Sequence, residues 1–387
     1  MSRRIETPEA LGPNAQLALD TINMKPTKGL ATALVHIMDI PFIEEFSGHE
    51  PGAYRQNPNE VYVAFNQRLG ACFIDQYLAD NPLTMGSHGY EATTERGATT
   101  GAENLVLDGI PIDGPEAVIR HLEEVEFAKL KMAMAACDAK ATAETAILIS
   151  GERALQTRFG NNLLKVPYHG FLHYPCLRYY QYGYVQYFQA YALYPEVMER
   201  DFVLQADLAE KENRAAARAV TEGGLPRLIR LDHDLADGRG TIPSLDSLRR
   251  LWFPQMARAI GPLLDAGIRL IWHCDGNLME MIPPLLEIGI SGFQGFQYEC
   301  GMDYEKICRM KDRRGAPLFI WAGVSSCTTL PFGTPQQVRD ELKWLVENGP
   351  PSGLVLGASS SVIPGTPHEN LRTLIEGLNY YREHGRR

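Results

Sequence analysis

The amino-acid sequence predicts an α/β protein, a (β/α)8 TIM barrel with an N-terminal extension and an inserted lid-like segment. From about residue 195 onward one order of elements recurs: a helix, a glycine, an apolar strand and a short polar motif. Strands that alternate with helices in this way form parallel sheets through right-handed crossovers. The 387 residues also exceed the roughly 250 that a barrel of eight strand–helix units needs.

Apolar runs bounded by glycine or turn residues give the predicted strands. The later strands follow the recurring order closely, whereas the earlier ones are less regular. The strands are placed at residues 33–38, 164–168, 228–231, 268–272, 290–296, 317–321 and 353–357. Because the carboxyl ends of parallel strands share one face of a barrel, the polar motif after each strand is expected at that face.

Capping residues predict where several helices begin and end. Ser244 caps a helix that runs to residue 266, where Gly267 ends it. Residues 334–337 form a capping box with proline at the first helical position, and residues 366–369 form a second box that opens the last helix. These signals predict that a helix follows each of the later strands.

The segment 80–160 departs from the recurring order. It contains a Gly- and Thr-rich piece at 93–101, a short extended run at 104–112 and an amphipathic helix at 115–137. We interpret this segment as an excursion over the barrel mouth. The whole chain, 1–387, is then a single barrel domain.

Composition and charge exclude several classes of protein. The formal net charge of -10 argues against a nucleic-acid partner or an anionic membrane partner. No apolar run reaches the roughly 20 residues of a membrane span, and the amino terminus has no apolar signal core. Seven scattered cysteines without a Cys-x-x-Cys pair indicate reduced thiols in the cytoplasm.

Polar side chains at the predicted strand ends give the candidate site. Imidazole groups, several carboxylates and hydroxyl groups would converge on one mouth, which is an enzyme-like set. These side chains are His169, His173, Asp232, Asp234, His273, Asp275, Glu299, Ser325, Ser359 and Ser360.

Within this set, His273 and Asp275 are the pair that most clearly indicates a functional site. Two residues apart on an extended backbone, they point to the same side, while Cys274 points away. Imidazole nitrogen and carboxylate oxygen are ligands for zinc-like ions, and Glu299 supplies a third. A metal-free catalytic or substrate-binding pair, or a hydrogen-bonded pair that only shapes the site, remains open.

Two further features have both a functional and a structural interpretation. Asp232 and Asp234 could orient a polar substrate or act as a general base, or they could be solvated loop acids. The aromatic stretch 168–188 could line a pocket for a flat ring, or it could be core or interface. Phosphate-binding glycine loops and a Gly-x-Ser-x-Gly elbow do not occur, which disfavours nucleotide binding and serine-hydrolase chemistry.

Four motifs in this order resemble the uroporphyrinogen-decarboxylase superfamily. They are His-Cys-Asp-Gly-Asn at 273–277, Glu-Cys-Gly-Met-Asp at 299–303, Gly-Thr-Pro at 333–335 and Ile-Pro-Gly-Thr-Pro-His-Glu-Asn at 363–370. The strand end at Asp234 and Ile-Pro-Ser at 242–244 fit the same pattern. The resemblance covers residues 165–387 and implies a (β/α)8 barrel.

The resemblance favours the cobamide-dependent methyltransferase branch. The Arg-Gln-Ala-Gly-Arg signature of true uroporphyrinogen decarboxylases is missing from the sequence. Thiol-methylating relatives hold zinc with a His-x-Cys pair, a glutamate and a later cysteine. Here His273 and Glu299 match, Asp275 replaces the first cysteine, and Ser359 or Ser360 stands where the last one belongs.

Oxygen ligands in place of thiolates make a harder site, poorer for thiol activation and better suited to polarising an ether, phenolate or carboxylate oxygen. The alternative is a site without metal in which Asp275 hydrogen-bonds or protonates the substrate. The resemblance therefore implies a methyltransferase of the O-demethylase type. It would move a methyl group from a small methylated substrate to the cobalt of a corrinoid protein. The expected substrate is methoxylated, and an aromatic methoxylated compound is one version of it.

The predicted roles follow from this interpretation. The corrinoid is carried by the partner protein, zinc is a candidate cofactor, and a homodimer is left open. The catalytic residues are His273, Asp275, Asp232 and Asp234; the substrate-binding residues are His169, His173, Tyr168, Asn277, Ser325 and Ser360; the metal ligands are His273, Asp275 and Glu299.

Three alternatives stay open. The first is a decarboxylase or lyase for a polycarboxylate such as a porphyrinogen, for which Arg178, Arg230 and Arg239 are the nearby cations. The second is a methylcobamide:tetrahydrofolate methyltransferase. The third is a barrel that has lost catalysis and binds a tetrapyrrole or corrinoid partner.

Overall fold

The computed structural model describes residues 10–79 and 105–386. Within these ranges the chain forms an α/β fold with parallel strands, as the sequence predicts. Eight strands pair in parallel: β1 (Ala31–Thr32), β2 (Phe73–Ile74), β3 (Leu164–Lys165), β4 (Leu228–Asp232), β5 (Arg269–His273), β6 (Gly292–Gln294), β7 (Phe319–Val324) and β8 (Leu354–Ala358). Two short antiparallel hairpins join Val106–Leu107 to Ile110–Pro111 and Ala236–Asp237 to Gly240–Thr241.

Helices connect consecutive strands along the chain. Their bounds are Pro13–Ile22, Ile40–Ser47, Ala53–Gln56, Pro58–Leu69, Pro115–His121, Phe127–Phe159, Tyr179–Tyr182, Tyr184–Leu193, Pro195–Gly223, Leu245–Leu251, Phe253–Asp265, Ile282–Ile288, Tyr304–Arg309, Thr329–Phe332, Pro335–Asn348 and His368–His384, with a π-helical turn at Leu122–Glu126 and a 3-10 turn at Tyr298–Cys300. None of the described helices is both long enough and apolar enough to cross a membrane.

The strands lie side by side in chain order. One sheet has the order β4-β5-β6-β7-β8-β1, and β2 pairs with β3 in a second. The amide of Cys72 donates to the carbonyl of Thr32 at 2.7 Å and so connects the start of β2 to β1. Between β3 and β4 the described residues form no ladder. The order is that of eight consecutive strand–helix units.

Side chains from seven of the eight strands pack in one apolar cluster. A single apolar cluster takes side chains from β1, β2, β3, β4, β5, β7 and β8, and the ring of Trp321 is its largest member. Helix Pro13–Ile22 contributes Ala15, Ala18 and Ile22 to the same cluster. The amide of Gly12 donates to the carbonyl of Asn161 at 2.7 Å, just before β3, which places this helix at the amino ends of the strands.

Most predicted strands coincide with observed ones. The predicted strands from 164 onward overlap β3 to β8, with ends that differ by up to three residues. The prediction at 33–38 is wrong for most of its length, because β1 precedes it and only an isolated bridge from Ile37 to Val362 follows. Strand β2 was not predicted, because its two residues are too few for an alternating pattern.

Two helix predictions need correction. The amide of Ser247 does bond the hydroxyl of Ser244, but the helix breaks at Trp252, before a second segment that carries proline in its first turn. The capping box at 334–337 is confirmed. The second box is wrong: the last helix begins at His368 and the hydroxyl of Thr366 donates to the carbonyl of Ile363 at 2.9 Å instead.

The described part of the segment 80–160 is mostly helical. After the π-helical turn the predicted helix does not end at residue 137 but continues to Phe159. It packs along helix Pro195–Gly223, where Thr145 donates to the carbonyl of Ala215 at 3.2 Å. The Gly- and Thr-rich piece at 93–101 lies outside the described residues, and the lid stays a prediction.

Candidate active site

Two neighbouring strands end in the residues of the candidate site. Asp232 of β4 pairs in register with His273 of β5, and Asp234 follows two residues later. One ligand atom from each of these three side chains lies within 4.8 Å of the others. The Nε2 atom of His273 is 4.0 Å from Oδ1 of Asp232 and 3.9 Å from Oδ1 of Asp275. The structure thus brings the four predicted catalytic residues together.

The imidazole of His273 is held in one orientation. Its Nδ1 atom lies 3.3 Å from the carbonyl oxygen of Gln294, and a proton donated there leaves Nε2 directed at the carboxylates. Gly295 packs against this ring with φ +72, and a Cβ atom at this position would lie 2.7 Å from Nδ1. Only glycine fits this backbone conformation and this contact.

The loop after β5 is fixed by hydrogen bonds from its backbone. The amide of Asp275 donates to Oδ1 of Asp234 at 2.8 Å, and the amide of Gly276 donates to Oε1 of Gln297 at 2.7 Å. Cys274 is buried and its sulfur accepts from the amide of Leu235 at 3.3 Å. Its side chain therefore points away from the site, as the alternation of an extended chain predicts.

Arg230 lies beneath the carboxylates and is 1% exposed. Its Nε donates to Asp75 at 2.7 Å, its Nη1 to Asp232 at 3.2 Å and its Nη2 to the side chain of Gln76 at 3.0 Å. The guanidinium carbon also lies 4.8 Å from the centre of the Tyr168 ring. These contacts occupy the fork of the guanidinium group, so its role is to anchor Asp232 rather than to bind a substrate anion.

The charges of the site shift the pKa values of its members. Burial alone would lower the pKa of His273, but the carboxylates of Asp232 and Asp275 outweigh it and the pKa is raised. Burial raises the pKa of Asp234 to about 6, and the nearby carboxylates of Asp232 and Asp275 act in the same direction. For Asp232 the opposing charges of His273 and Arg230 exceed the effect of burial, and the pKa is lowered.

A cavity of about 560 Å³ opens next to these carboxylates. Asp232 and Asp234 form one part of its lining, and the aromatic stretch after β3 forms another through Tyr174, Tyr179 and Tyr180. The ring of Tyr179 stacks on His233 with centroids 5.6 Å apart, and the hydroxyl of Tyr174 donates to the carbonyl of Asp232 at 3.0 Å. Part of the aromatic stretch therefore lines a pocket, while Tyr182 and Tyr187 are buried in the core.

The predicted histidines after β3 lie at the edge of this region. His173 lines the cavity, and its Nδ1 is 3.1 Å from Oε2 of Glu212. His169 is exposed and packs edge-on against the ring of Tyr168. Their assignment as substrate-binding residues stays a prediction.

The carboxylate of Glu299 is not part of the cluster formed by ligand atoms of Asp232, Asp234 and His273. It is exposed in the 3-10 turn Tyr298–Cys300 and accepts from the hydroxyl of Ser325 at 3.4 Å. The same hydroxyl accepts from the amide of Thr328 at 3.1 Å, so it stabilises the turn after β7. Of the predicted metal ligands, His273 alone belongs to the cluster with Asp232 and Asp234.

The remaining predicted residues make local contacts. The side-chain oxygen of Asn277 accepts from the amide of Met279 at 3.2 Å, within its own loop. The amide of Ser360 donates to Oγ of Ser326 at 3.1 Å, and Oγ of Ser359 accepts from the amide of Ser326 at 3.0 Å. These bonds join the turns after β7 and β8, and a role of Asn277 or Ser360 in substrate binding stays a prediction.

Two polar residues at this end of the strands were not predicted from the sequence. Asp75 follows the two-residue strand β2, and His36 follows β1 in the region where the strand was misplaced. Both positions lie directly after short apolar runs. A polar residue directly after an apolar run is the sequence pattern that would have indicated these two positions.

Among the comparisons with known proteins, solved structures show a similar fold. The sequence matches no family model and none of the curated proteins. A methyltransferase from Methanosarcina mazei has a similar solved structure: the TM-score is 0.57 with 16% sequence identity, and the match covers 96% of this chain and 99% of that one. At this identity the similarity concerns the fold.

A second solved structure is more distant. It is a B12-independent methionine synthase from Shewanella sp. W3-18-1 in complex with selenomethionine, with a TM-score of 0.39, 14% identity and coverage of 61% of this chain and 65% of that one. A similarity of this size supports no conclusion about the present chain.

Proposed function

We propose that this protein is a methyltransferase of the O-demethylase type. It moves a methyl group from a small methoxylated substrate to the cobalt of a corrinoid that a partner protein carries. The observation that carries the proposal is the oxygen-rich group of Asp232, Asp234 and His273 beside an aromatic-lined cavity. The fold similarity to a methyltransferase adds support by analogy.

We also propose that the eight strands close into a (β/α)8 barrel and that the active site lies at their carboxyl ends. Support comes from the consecutive strand order and from the interior cluster that seven of the eight strands share. Active sites of such barrels gather at the carboxyl face. The partner protein would then approach the open face above Asp232 and His273.

The ligand atoms of Asp232, Asp234 and His273 fit a zinc-like ion. Three atoms within 4.8 Å of one another need small side-chain movements to reach bond lengths of about 2.0–2.2 Å. The carbonyl of Gln294 holds Nδ1 of His273, which is the usual arrangement behind a metal-bound imidazole. An ion held there would act as a Lewis acid toward the oxygen of the methyl donor.

Several side chains of this protein would have distinct roles in the reaction. The cavity wall formed by Tyr174, Tyr179 and Tyr180 would hold a flat ring by stacking or edge contacts. Arg230 keeps Asp232 in place, and Oδ1 of Asp275 lies 3.9 Å from Nε2 of His273. When the methyl group leaves, the substrate oxygen keeps the bonding electron pair and takes up a proton, and the acceptor supplies the pair for the new bond.

The charge of the site disfavours a polycarboxylate substrate. Arg178 bonds Asp201 and Glu126, Arg230 bonds Asp75 and Asp232, and Arg239 bonds Asp237. The three cations named for a decarboxylase are therefore already paired with carboxylates. An excess of carboxylates at the mouth would repel a porphyrinogen with several acidic groups.

A methyl-transfer assay tests the proposed function. The purified protein is mixed with chemically reduced cobalamin and a panel of methoxylated aromatic and aliphatic donors. Methylcobalamin is followed by its absorbance and the demethylated product by chromatography. Equal amounts of both products support the proposal. Carbon dioxide release from a porphyrinogen without cobamide, or no transfer from any donor, would contradict it.

Elemental analysis separates the two possible ligand sets. We expect Asp234→Asn to lose bound zinc and Glu299→Gln to retain it. Asp237→Asn is the matched control, because Asp237 lies in the neighbouring hairpin and pairs with the exposed Arg239. Loss of zinc in Glu299→Gln with retention in Asp234→Asn would instead support the set His273, Asp275 and Glu299.

A further inference from the structure

A second, smaller cavity lies at the amino ends of the strands, away from the candidate active site. Arg269 is the first residue of β5, Ser291 directly precedes β6, and the turn 312–314 precedes β7. All of them line one cavity of about 80 Å³. This is the volume of roughly two to three water molecules, which suits one small ion or one polar group of a larger ligand.

Three arginines line this cavity, namely Arg269, Arg313 and Arg314. Within the ranges that the structure describes, none of them forms an ion pair with a carboxylate at 4.0 Å or less. The buried arginines of the fold behave differently, because Arg178 and Arg230 each pair with two carboxylates. The guanidinium charges around the small cavity therefore have no direct counterion.

Arg269 carries the clearest sign of this missing counterion. The side chain is half-buried, and its Nε is fully enclosed with no hydrogen-bond partner among the described residues. Burial lowers the pKa of Arg269, the charge of Asp312 opposes this shift, and the charge of Arg314 adds to it. An arginine nevertheless stays protonated. An anion in the adjacent cavity would offset this charge without contacting Nε.

The turn before β7 is fixed by Asp312. Its Oδ1 accepts from the amide of Arg314 at 2.9 Å and from the amide of Ala316 at 2.8 Å. The carbonyl of Asp312 accepts from the amide of Gly315 at 2.9 Å. These bonds hold the backbone that carries Arg313 and Arg314, so both arginines border the cavity before any ligand binds.

Negative groups near the cavity reduce its positive charge but do not cancel it. Helices Phe253–Asp265 and Ile282–Ile288 end beside the cavity, where Gly267 and Gly289 contribute to the lining. The carboxyl end of a helix is equivalent to about half a negative charge. Together with Asp312, the two helix ends offset about two of the three guanidinium charges, so a net positive charge remains.

We propose that this cavity binds a phosphate-type oxyanion, either free phosphate or the phosphate group of a small ligand. Guanidinium groups match such anions because their fork donates two parallel hydrogen bonds to a pair of oxygens. Ser291, whose hydroxyl can also donate, borders the same space. This site is separate from the acidic cluster at the strand ends and does not depend on the proposed methyl transfer.

Isothermal titration calorimetry of the whole protein with inorganic phosphate tests the proposal, with chloride as the other anion at low ionic strength. We expect one site per chain, and at least about tenfold weaker binding in Arg269→Met and in Arg314→Gln. Arg249→Gln, at an exposed position of helix Leu245–Leu251 outside the cavity, is the control. No phosphate binding by wild type, or equal binding by wild type and both cavity variants, would overturn the proposal.

A parallel titration with glycerol phosphate distinguishes the two sources of the anion. Tighter binding of the ester than of inorganic phosphate would indicate the phosphate group of a larger ligand, and weaker binding would indicate free phosphate. In either case Arg314→Gln should weaken the binding. Unchanged binding of the ester in this variant would overturn the assignment of the site to the cavity.

Urea unfolding gives a readout that needs no methyl donor. A ligand that binds only the folded state raises the unfolding midpoint. Phosphate should therefore raise the midpoint of wild type and of Arg249→Gln, but not that of Arg314→Gln, whose exposed position makes misfolding of the variant improbable. A rise of equal size in all three proteins would place the anion elsewhere and would overturn the proposal, whatever the outcome of the methyl-transfer assay.

Discussion

Two clusters among the described residues contain a histidine and two acidic residues, but their charge balance differs. One is Asp232, Asp234 and His273 at the strand ends, and the other is Asp108, Glu126 and His121 beside the π-helical turn. In both, three ligand atoms lie within 4.8 Å of one another. Residue types and distances alone therefore do not separate a candidate site from a structural network.

In the cluster beside the π-helical turn every charge has a partner. Lys129 bonds Asp108 at 2.9 Å and Glu126 at 3.3 Å, and Arg178 bonds Glu126 at 2.9 Å. Both nitrogens of His121 are occupied, Nδ1 by the hydroxyl of Tyr182 at 2.9 Å and Nε2 by Asp108 at 3.0 Å. A cation would have to displace these groups.

In the cluster at the strand ends the balance is acidic. Arg230 is shared between Asp232 and Asp75, which leaves Asp234 and Asp275 without a cationic side chain other than His273 among the described ion pairs. The Nε2 atom of His273 is 3.9–4.0 Å from carboxylate oxygens, beyond hydrogen-bond distance. Uncompensated charge beside a cavity, rather than composition, distinguishes this cluster as a candidate site.

The largest expected effect on stability lies in the neutralised network. Arg178→Met should lower the free energy of unfolding by about 3–5 kcal/mol, because it leaves the fully buried Asp201 without a cation. Urea unfolding measures this difference. Arg239→Met, at an exposed pair, should leave the midpoint of urea unfolding unchanged. A small effect of Arg178→Met would show that this network is not structural.

A matched pair of glycine substitutions tests the orientation of His273. Gly295→Ala places a Cβ 2.7 Å from Nδ1 of His273, and we expect zinc affinity and turnover to fall about 10–100-fold. Gly109→Ala, beside Asp108, has a similar positive φ of +80 but nothing within 4 Å. It should show the backbone strain of about 1–2 kcal/mol without the loss of activity. Equal losses of activity in both variants would contradict the assigned role.

The smallest expected effect concerns the ion pair at the cavity edge. Glu212 raises the pKa of His173 above its ordinary value of 6.5, although burial opposes it. The pair should therefore stabilise the protein fully below pH 6.5, and the contribution should be lost as pH rises through the raised pKa. His173→Gln should lower stability at about pH 6 more than at about pH 9, by less than about 1 kcal/mol. The opposite order in urea unfolding would contradict the assignment.

Local signals were enough to predict the later half of the fold. Glycines after helices and apolar runs of fixed length placed β4, β5, β7 and β8 within two residues at each start. The same signals failed for β1 and β2, where two-residue strands are stabilised by neighbouring strands rather than by their own sequence. Helix Phe127–Phe159 was predicted too short because its continuation packs on helix Pro195–Gly223, a contact that local amphipathicity does not show.

The candidate site was predicted in part. The alternation of β5 gave the common side of His273 and Asp275 and the opposite side of Cys274, because that depends on local geometry alone. The contacts of Asp75 with Arg230 and of His36 with Ser361 join residues that are far apart in the sequence. That information is spread over more than 200 residues of chain, from His36 to His273, and no local pattern contains it.

The most direct test of whether the acidic cluster at the strand ends is the active site replaces the histidine of each cluster by glutamine. His273→Gln and His121→Gln are compared with wild type for methyl transfer to reduced cobalamin under conditions where all three remain folded by circular dichroism. We expect turnover of His273→Gln to fall at least about 100-fold, while His121→Gln stays within about threefold of wild type because it lies outside the site. Equal turnover in the two variants would contradict the assignment of function to the acidic cluster at the strand ends.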